Sequence, residues 1–282
     1  MQLQTPVDVP SPSWRIQPAD RLACIGSCFA DNMGQRIKDD HFRAVVNPYG
    51  VMYNPISILH TVEGKPYPHP EKEVHPLHCE VAIITLGTNH VYEEKTTGKI
   101  VDNCQKRPQR EFTERRLSVD DCTDALERIV HALQQQKNDV KVVFTVSPIR
   151  YRKYGYHESQ LSKSTLLLAI DRLLSNEKSD RLHYFPAYEI VNDELRDYRF
   201  YKPDMLHPSE QTVDYLYERF KESCFSAEAI RMAEEWKSIR EALNHRPLHP
   251  DSDTYLRFRQ DTLKKKEEFE RKYFPLPAPY NE

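Results

Sequence analysis

Short apolar runs alternate along this chain with segments whose apolar positions recur every three or four residues. The runs Arg21–Cys28 (RLACIGSC), Ala44–Asn47 (AVVN), Val81–Leu86 (VAIITL), Lys141–Val146 (KVVFTV) and Leu182–Val191 (LHYFPAYEIV) predict strands. VAIITL has no polar alternation, as expected of a strand covered on both faces in a parallel sheet. Pro186 interrupts or shortens the last of them, because proline has no N–H for the ladder.

Helical periodicity fills the intervals. Phe29, Met33 and Ile37 share one face after the first run, and Pro55 opens a short helix at ISILHTVE. Ser118-Val-Asp-Asp is a capping signal for a helix to Gln136, with Cys122, Ala125, Leu126, Ile129, Val130 and Leu133 on its stripe. Further helices are predicted over Glu158–Leu174, Ser209–Cys224, 226–243 and 252–273. Thr97-Gly98 between VYEEK and KIVDNC predicts a β-hairpin turn.

Strands near 22, 44, 82, 142 and 183 separated by helices predict an α/β fold, a doubly wound sheet of about five parallel strands with helices on both faces. The proline-punctuated residues 1–20 read as an extended N-terminal arm, with the core starting after it. Residues 21–224 form the α/β domain, and 225–282 a C-terminal αα-hairpin packed on it through Ile230, Trp236, Leu243, Tyr255, Phe258, Phe269 and Tyr273. The run KKKEEFERK is a solvated helix face.

Composition then narrows the function. A net charge of −3 across 282 residues, with 39% apolar and 29% charged residues, points to neither nucleic acid nor an anionic membrane as partner. The start carries no basic stretch followed by an apolar run, and no apolar stretch approaches the roughly 18 residues of a span, so a cytoplasmic location is expected. The six cysteines form no C-x-x-C pair, so neither a disulfide framework nor a zinc knuckle is indicated. His69, His75, His78 and Cys79 lie in a proline-rich loop without the spacing of a metal site, and no metal or cofactor is expected. Oligomeric state is not encoded legibly.

In doubly wound sheets ligands sit beyond the carboxyl ends of the strands, so the residues where each run breaks off matter most. These are Ser27, Gly50, Gly87-Thr88-Asn89 and, after the last strand, Asp204-Met-Leu-His207. A serine hydroxyl needs a base to take its proton, and the base needs a carboxylate on its other ring nitrogen. Asp204 and His207 supply both within one turn, bracketed by Pro203 and Pro208, with Ser209 as a helix cap. The topology brings Ser27 and His207 to one sheet edge, where a direct hydrogen bond is expected, with Asp204 more buried than His207.

The N–H groups of Ser27 and Gly50 and the Asn89 amide are candidate oxyanion donors. Gly50 also fits a turn needing positive φ, and Asn89 a loop cap. Cys28 is a more acidic nucleophile by chemistry, but as the residue after Ser27 it fits better as a small packing residue. Arg150 and His157 follow the fourth strand, where they would meet substrate, and Tyr49, Tyr53, Tyr151, Tyr154 and Tyr156 could line a cleft of carbohydrate size.

Serine after the first strand, glycine in the second block, G-x-N in the third and D-x-x-H near the end resemble the SGNH (GDSL-type) esterases. More narrowly, Gly26-Ser27-Cys28-Phe29-Ala30, NPYGVMYNPISI, TVSPIR, DMLHPS and ALNHRPLHP resemble the GSCFA family over roughly residues 20–260. The resemblance implies a flavodoxin-like three-layer sandwich and ester chemistry through Ser27, Gly50, Asn89 and His207, with Asp204 as third triad member. Gly26 and His90 stand where the broader superfamily carries aspartate, and Asn103 competes with Asn89 as the oxyanion asparagine. Three functions fit these residues: hydrolysis of O-acyl esters of a small molecule or carbohydrate, acyl transfer to a sugar hydroxyl, and non-catalytic binding.

Overall fold

The computed structural model describes residues 4–68, 76–104, 106–177 and 179–274. Its strands are β1 (Arg21–Gly26), β2 (Arg43–Val46), β3 (Val81–Leu86), β4 (His90–Glu94), β5 (Ile100–Val101), β6 (Phe112–Arg116), β7 (Lys141–Val146) and β8 (Leu182–Tyr184). Helices α1 (Cys28–Asp39), α2 (Pro55–Val62), α3 (Val119–Gln136) and α4 (Tyr156–Asn176) are followed by the single turn α5 (Ala187–Glu189), which runs into a π-helical turn at Ile190–Leu195. The chain closes with α6 (Glu210–Cys224), α7 (Ala227–Leu243) and α8 (Asp253–Tyr273).

Five strands form one parallel sheet in the order β2-β1-β3-β7-β8. Successive side chains of a strand point to opposite faces, and the apolar strands feed two cores accordingly. Leu22, Cys24, Val81, Ile83 and Val143 face Phe29, Met33 and Ile37 of α1 together with α6 and α7. Ala23, Ile25, Ala82, Ile84, Val142 and Phe144 face α2, α3 and α4. The expected α/β/α sandwich, with helices on both faces of five parallel strands, is therefore the fold. Ser118 and Asp121 form the capping box of α3, and Pro55 opens α2.

A smaller antiparallel sheet, β5-β4-β6, stands beside the first, and its β4–β5 pair is the hairpin at Thr97-Gly98. Its third strand, Phe112–Arg116, carries no apolar alternation because only Phe112 is buried. The N-terminal segment departs from expectation: Ile16 is wholly buried and pairs with Phe225, so the core starts before residue 21. Arg219 binds both the buried Glu194 and the Val7 carbonyl, tying this segment to α6. Helices α7 and α8 pack through Trp236, Ile239, Phe269 and Tyr273, with His41 stacked on Trp236 at 3.7 Å. Leu243 and Phe258, predicted for that face, are exposed. Among the described residues no helix is long and apolar enough to cross a membrane.

The sheet reverses direction of growth between β1 and β3, leaving a crevice at their carboxyl ends. There Gly26 has φ +137°, and a Cβ would stand 2.1 Å from the Thr85 carbonyl oxygen. Gly50, at φ +98°, has open space around it. Gly26→Ala should therefore cost about 3 kcal/mol or more, backbone strain adding to an unrelieved clash. Gly50→Ala should cost only about 1–2 kcal/mol from its backbone. Urea unfolding of both variants checks the difference, and equal losses would refute it.

Candidate active site

Ser27 caps α1 at the end of β1: its Oγ accepts the Phe29 N–H at 3.2 Å and lies 3.1 Å from Thr85 Oγ1. Its own N–H donates to Thr85, to both Oγ1 (3.0 Å) and the carbonyl oxygen (3.1 Å). Asn47, just after β2, accepts the Gly26 N–H and is itself held by Asp31. Three adjacent strands thus fix the Gly26-Ser27 turn.

The Asp204–His207 loop is held just as tightly, although it is open to solvent. One Asp204 oxygen accepts the Leu206 and His207 N–H groups at 2.8 and 3.0 Å, and the other meets His207 Nδ1 at 2.6 Å. Those backbone donors, with the imidazole, hold the Asp204 carboxyl down at about 2, so it is anionic across the neutral range. Its side chain is 44% exposed and that of His207 40%, so the expected deeper burial of Asp204 does not occur; backbone amides stabilise this carboxylate in place of burial. Arg150 secures the loop from the β7 side, its N–H donating to the Leu206 carbonyl and its guanidinium to that of Met205, each at 3.1 Å.

Ser27, His207 and Arg150 line one cavity of about 280 Å³ together with Cys28, Tyr53 and Tyr151. No hydrogen bond joins Ser27 to His207 among the described residues: Ser27 Oγ is engaged by Thr85 and Phe29, and the cavity separates the two loops. Cys28 Sγ lies 3.4 Å from Tyr53 Oη on the same wall.

Of the three expected oxyanion donors, the Ser27 N–H is spent on Thr85, and Gly50 and Asn89 stand away from this cavity. The Gly50 N–H donates to the Asn47 carbonyl at 2.9 Å, so its glycine serves the turn. The Asn89 amide donates to the Leu117 carbonyl at 2.7 Å, tying β4 to the entry of α3. Asn103 is exposed after β5, and His157 is exposed on the first turn of α4; neither lines the cavity. Of the histidine and cysteine cluster, His69 and His75 lie outside the described residues.

Sequence reasoning missed Lys163. Its side chain is fully buried at the cavity, and Nζ donates to the Gly87 and Ser147 carbonyls at 2.7 and 2.8 Å, bridging the ends of β3 and β7. The signal was present: Lys163 occupies the stripe formed by Ser159, Ser162, Leu166, Ala169, Ile170 and Leu173, a charge on the buried face of α4.

The family matches complete this description. The GSCFA family model matches residues 21–70 and 69–220, and the model of the GSCFA domain protein C-terminal domain matches 236–277. The chain belongs to the GSCFA family. No curated protein matches it. Among solved structures, this GSCFA chain is similar to a family two carbohydrate esterase from Clostridium thermocellum in complex with cellohexaose, at 12% identity and TM-score 0.43, over 75% of this chain and 65% of the other. It is also similar to a carbohydrate esterase family 3 protein from Talaromyces cellulolyticus, at 10% identity and TM-score 0.44, over 76% and 99% of the two chains.

Burial pushes the Lys163 ammonium down to about 7. The unfolded chain, with its lysine near the usual value of about 10.4, then binds more protons than the folded one between those two pH values. Stability supplied through this group should therefore rise from about pH 7 towards pH 10, and stay at its lower level below pH 7. Urea unfolding at pH 7 and pH 9.5 checks this, with wild type expected to gain on Lys163→Met as pH rises. Parallel changes in the two proteins would show that the ammonium is not desolvated.

Proposed function

We propose that this chain hydrolyses carboxylic esters through an acyl-enzyme on Ser27, with His207 as acid–base group and Asp204 as its orienting carboxylate. The observation that carries the reading is that Ser27 and the Asp204-bonded His207 line the same small cavity at the sheet's reversal point. The Asp204 bond favours the tautomer with its proton on Nδ1, leaving Nε2 free to accept. Ser27 Oγ accepts the Phe29 N–H and sits 3.1 Å from Thr85 Oγ1, so its proton turns from Thr85 to His207 when the nucleophile is used.

In this scheme Oγ attacks the acyl carbon while its proton passes to His207 Nε2. The tetrahedral oxyanion collapses, the alcohol leaves with that proton, and water repeats the sequence on the acyl-enzyme. With Gly50 and Asn89 occupied elsewhere, the first-turn N–H of α1 at Cys28 is the oxyanion donor in this scheme, a position whose amide has no partner within the helix. The cavity's size suits a short acyl ester. Tyr151, stacked on Tyr154 with ring centroids 5.1 Å apart and edge-on to Tyr53, gives an aromatic wall for a sugar or similar alcohol.

Ser27→Ala should lower kcat on short-chain acyl esters by at least about 10³-fold, with the fold retained. Asp204→Asn should cost on the order of 10⁴, because an amide can stabilise the wrong imidazole tautomer. Steady-state kinetics with circular dichroism checks both. Full activity in a folded Ser27→Ala protein would end this reading.

A further inference from the structure

The charge on the cavity wall is one-sided. Arg150, Arg152, Lys153 and Lys163 line it together with His207, and no Asp or Glu does so among the described residues. Lys153 is neutralised by Glu114 at 3.5 Å, outside the cavity lining. The other three have no carboxylate partner among the described residues. Lys163 meets the Gly87 and Ser147 carbonyl oxygens and the Tyr188 ring face, 6.0 Å from its centroid. The Arg150 guanidinium lies over the Tyr156 ring at 4.2 Å and donates to the Met205 carbonyl. The Arg152 side chain is exposed to solvent.

A buried ammonium without a counter-charge is costly, because carbonyl dipoles replace only part of its hydration. A protonated lysine has three N–H donors and carbonyls take two, so one remains for a ligand. Arg150 likewise keeps donors in excess of its single hydrogen bond. A cleft lined with one sign of charge and closed by low-dielectric walls concentrates ligands of the opposite sign.

We propose that this site takes an ester carrying a negatively charged oxyacid group, a carboxylate or phosphate, bound by Lys163 at the cavity floor with Arg150 and Arg152 at its rim. The inference rests on the hydrolase reading above for the word ester, and on the cavity wall alone for the anion. The charge selects the substrate, and the Ser27 chemistry is the same for neutral and anionic esters.

Matched pairs test it: phenyl acetate against 3-acetoxybenzoate, which places a carboxylate on the alcohol side, and phenyl butyrate against phenyl hydrogen succinate, which places it on the acyl side. At pH 6.5 and low salt, the anionic member of at least one pair should have the higher kcat/KM by tenfold or more. Inorganic phosphate should inhibit that reaction competitively. Arg152→Ala should reduce the preference severalfold, and Lys163→Met should abolish it. If Lys163→Met does not fold, Arg152→Ala and calorimetric titration of Ser27→Ala with each ester decide the matter. Ser27-dependent hydrolysis with the neutral ester equal or better in both pairs overturns the anion site and leaves the hydrolase intact. Tight binding of an anionic ester, with neither pair hydrolysed, supports the anion site and overturns the hydrolase.

Discussion

At the end of β1 the backbone runs so close to β3 that Gly26 has no room for a side chain, and the next N–H lands on Thr85. Much of the site follows from that contact. The sheet reverses its order between these two strands, and the crevice at their ends is walled on one side by the segment after β2, whose Met52 N–H and Tyr53 carbonyl bond to Gly26 and Gly87. Ser27 is placed there by the Phe29 N–H donated to its Oγ, by the contact of that Oγ with Thr85 Oγ1 and by its own N–H donated to Thr85, so its hydroxyl is held before any substrate arrives. Under the proposed mechanism a hydroxyl fixed by the sheet itself loses little further freedom on binding, a preorganisation that a loop of the same residues would not give.

Two other devices complete the site, and they work by opposite physics. The Asp204–His207 loop is solvent-exposed and gains its order from a carboxylate saturated by backbone N–H groups and from Arg150 gripping its carbonyls. Lys163 is dry, and it joins the ends of β3 and β7 through their carbonyls at the expense of a desolvated charge. An apolar residue there would spare the desolvated charge but strand the Gly87 and Ser147 carbonyls. The presence of Lys163 beside Arg150 and Arg152 gives the cavity a positive wall, the feature on which the proposed preference for an anionic ester rests.

The apolar runs and helical stripes revealed the sheet and its helices, because burial imposes periodicity; the strand ends pointed to Ser27 and to Asp204–His207, and Ser27 and His207 line one cavity. The oxyanion assignments failed for a reason that periodicity cannot address. Gly50 and Asn89 have suitable donors, but a sequence does not show that those donors are spent on Asn47 and Leu117. Phe112–Arg116 was unreadable as a strand with one buried residue, and Ile16 was hidden among prolines although it is fully buried. Lys163 broke the apolar stripe of α4, and a charge in that position was the one available signal of the cavity floor.

The central claim is that Ser27 is a nucleophile activated by His207, and covalent labelling examines it without any assumption about substrate. A fluorophosphonate requires an activated hydroxyl, and peptide mapping by mass spectrometry identifies the residue it modifies. The account expects one adduct, on Ser27, formed at least about a hundredfold more slowly in His207→Ala, as general-base assistance typically contributes 10²–10⁴. Modification of Ser147 or Cys28 on the same cavity wall, or of Ser27 at a rate indifferent to His207, would contradict it.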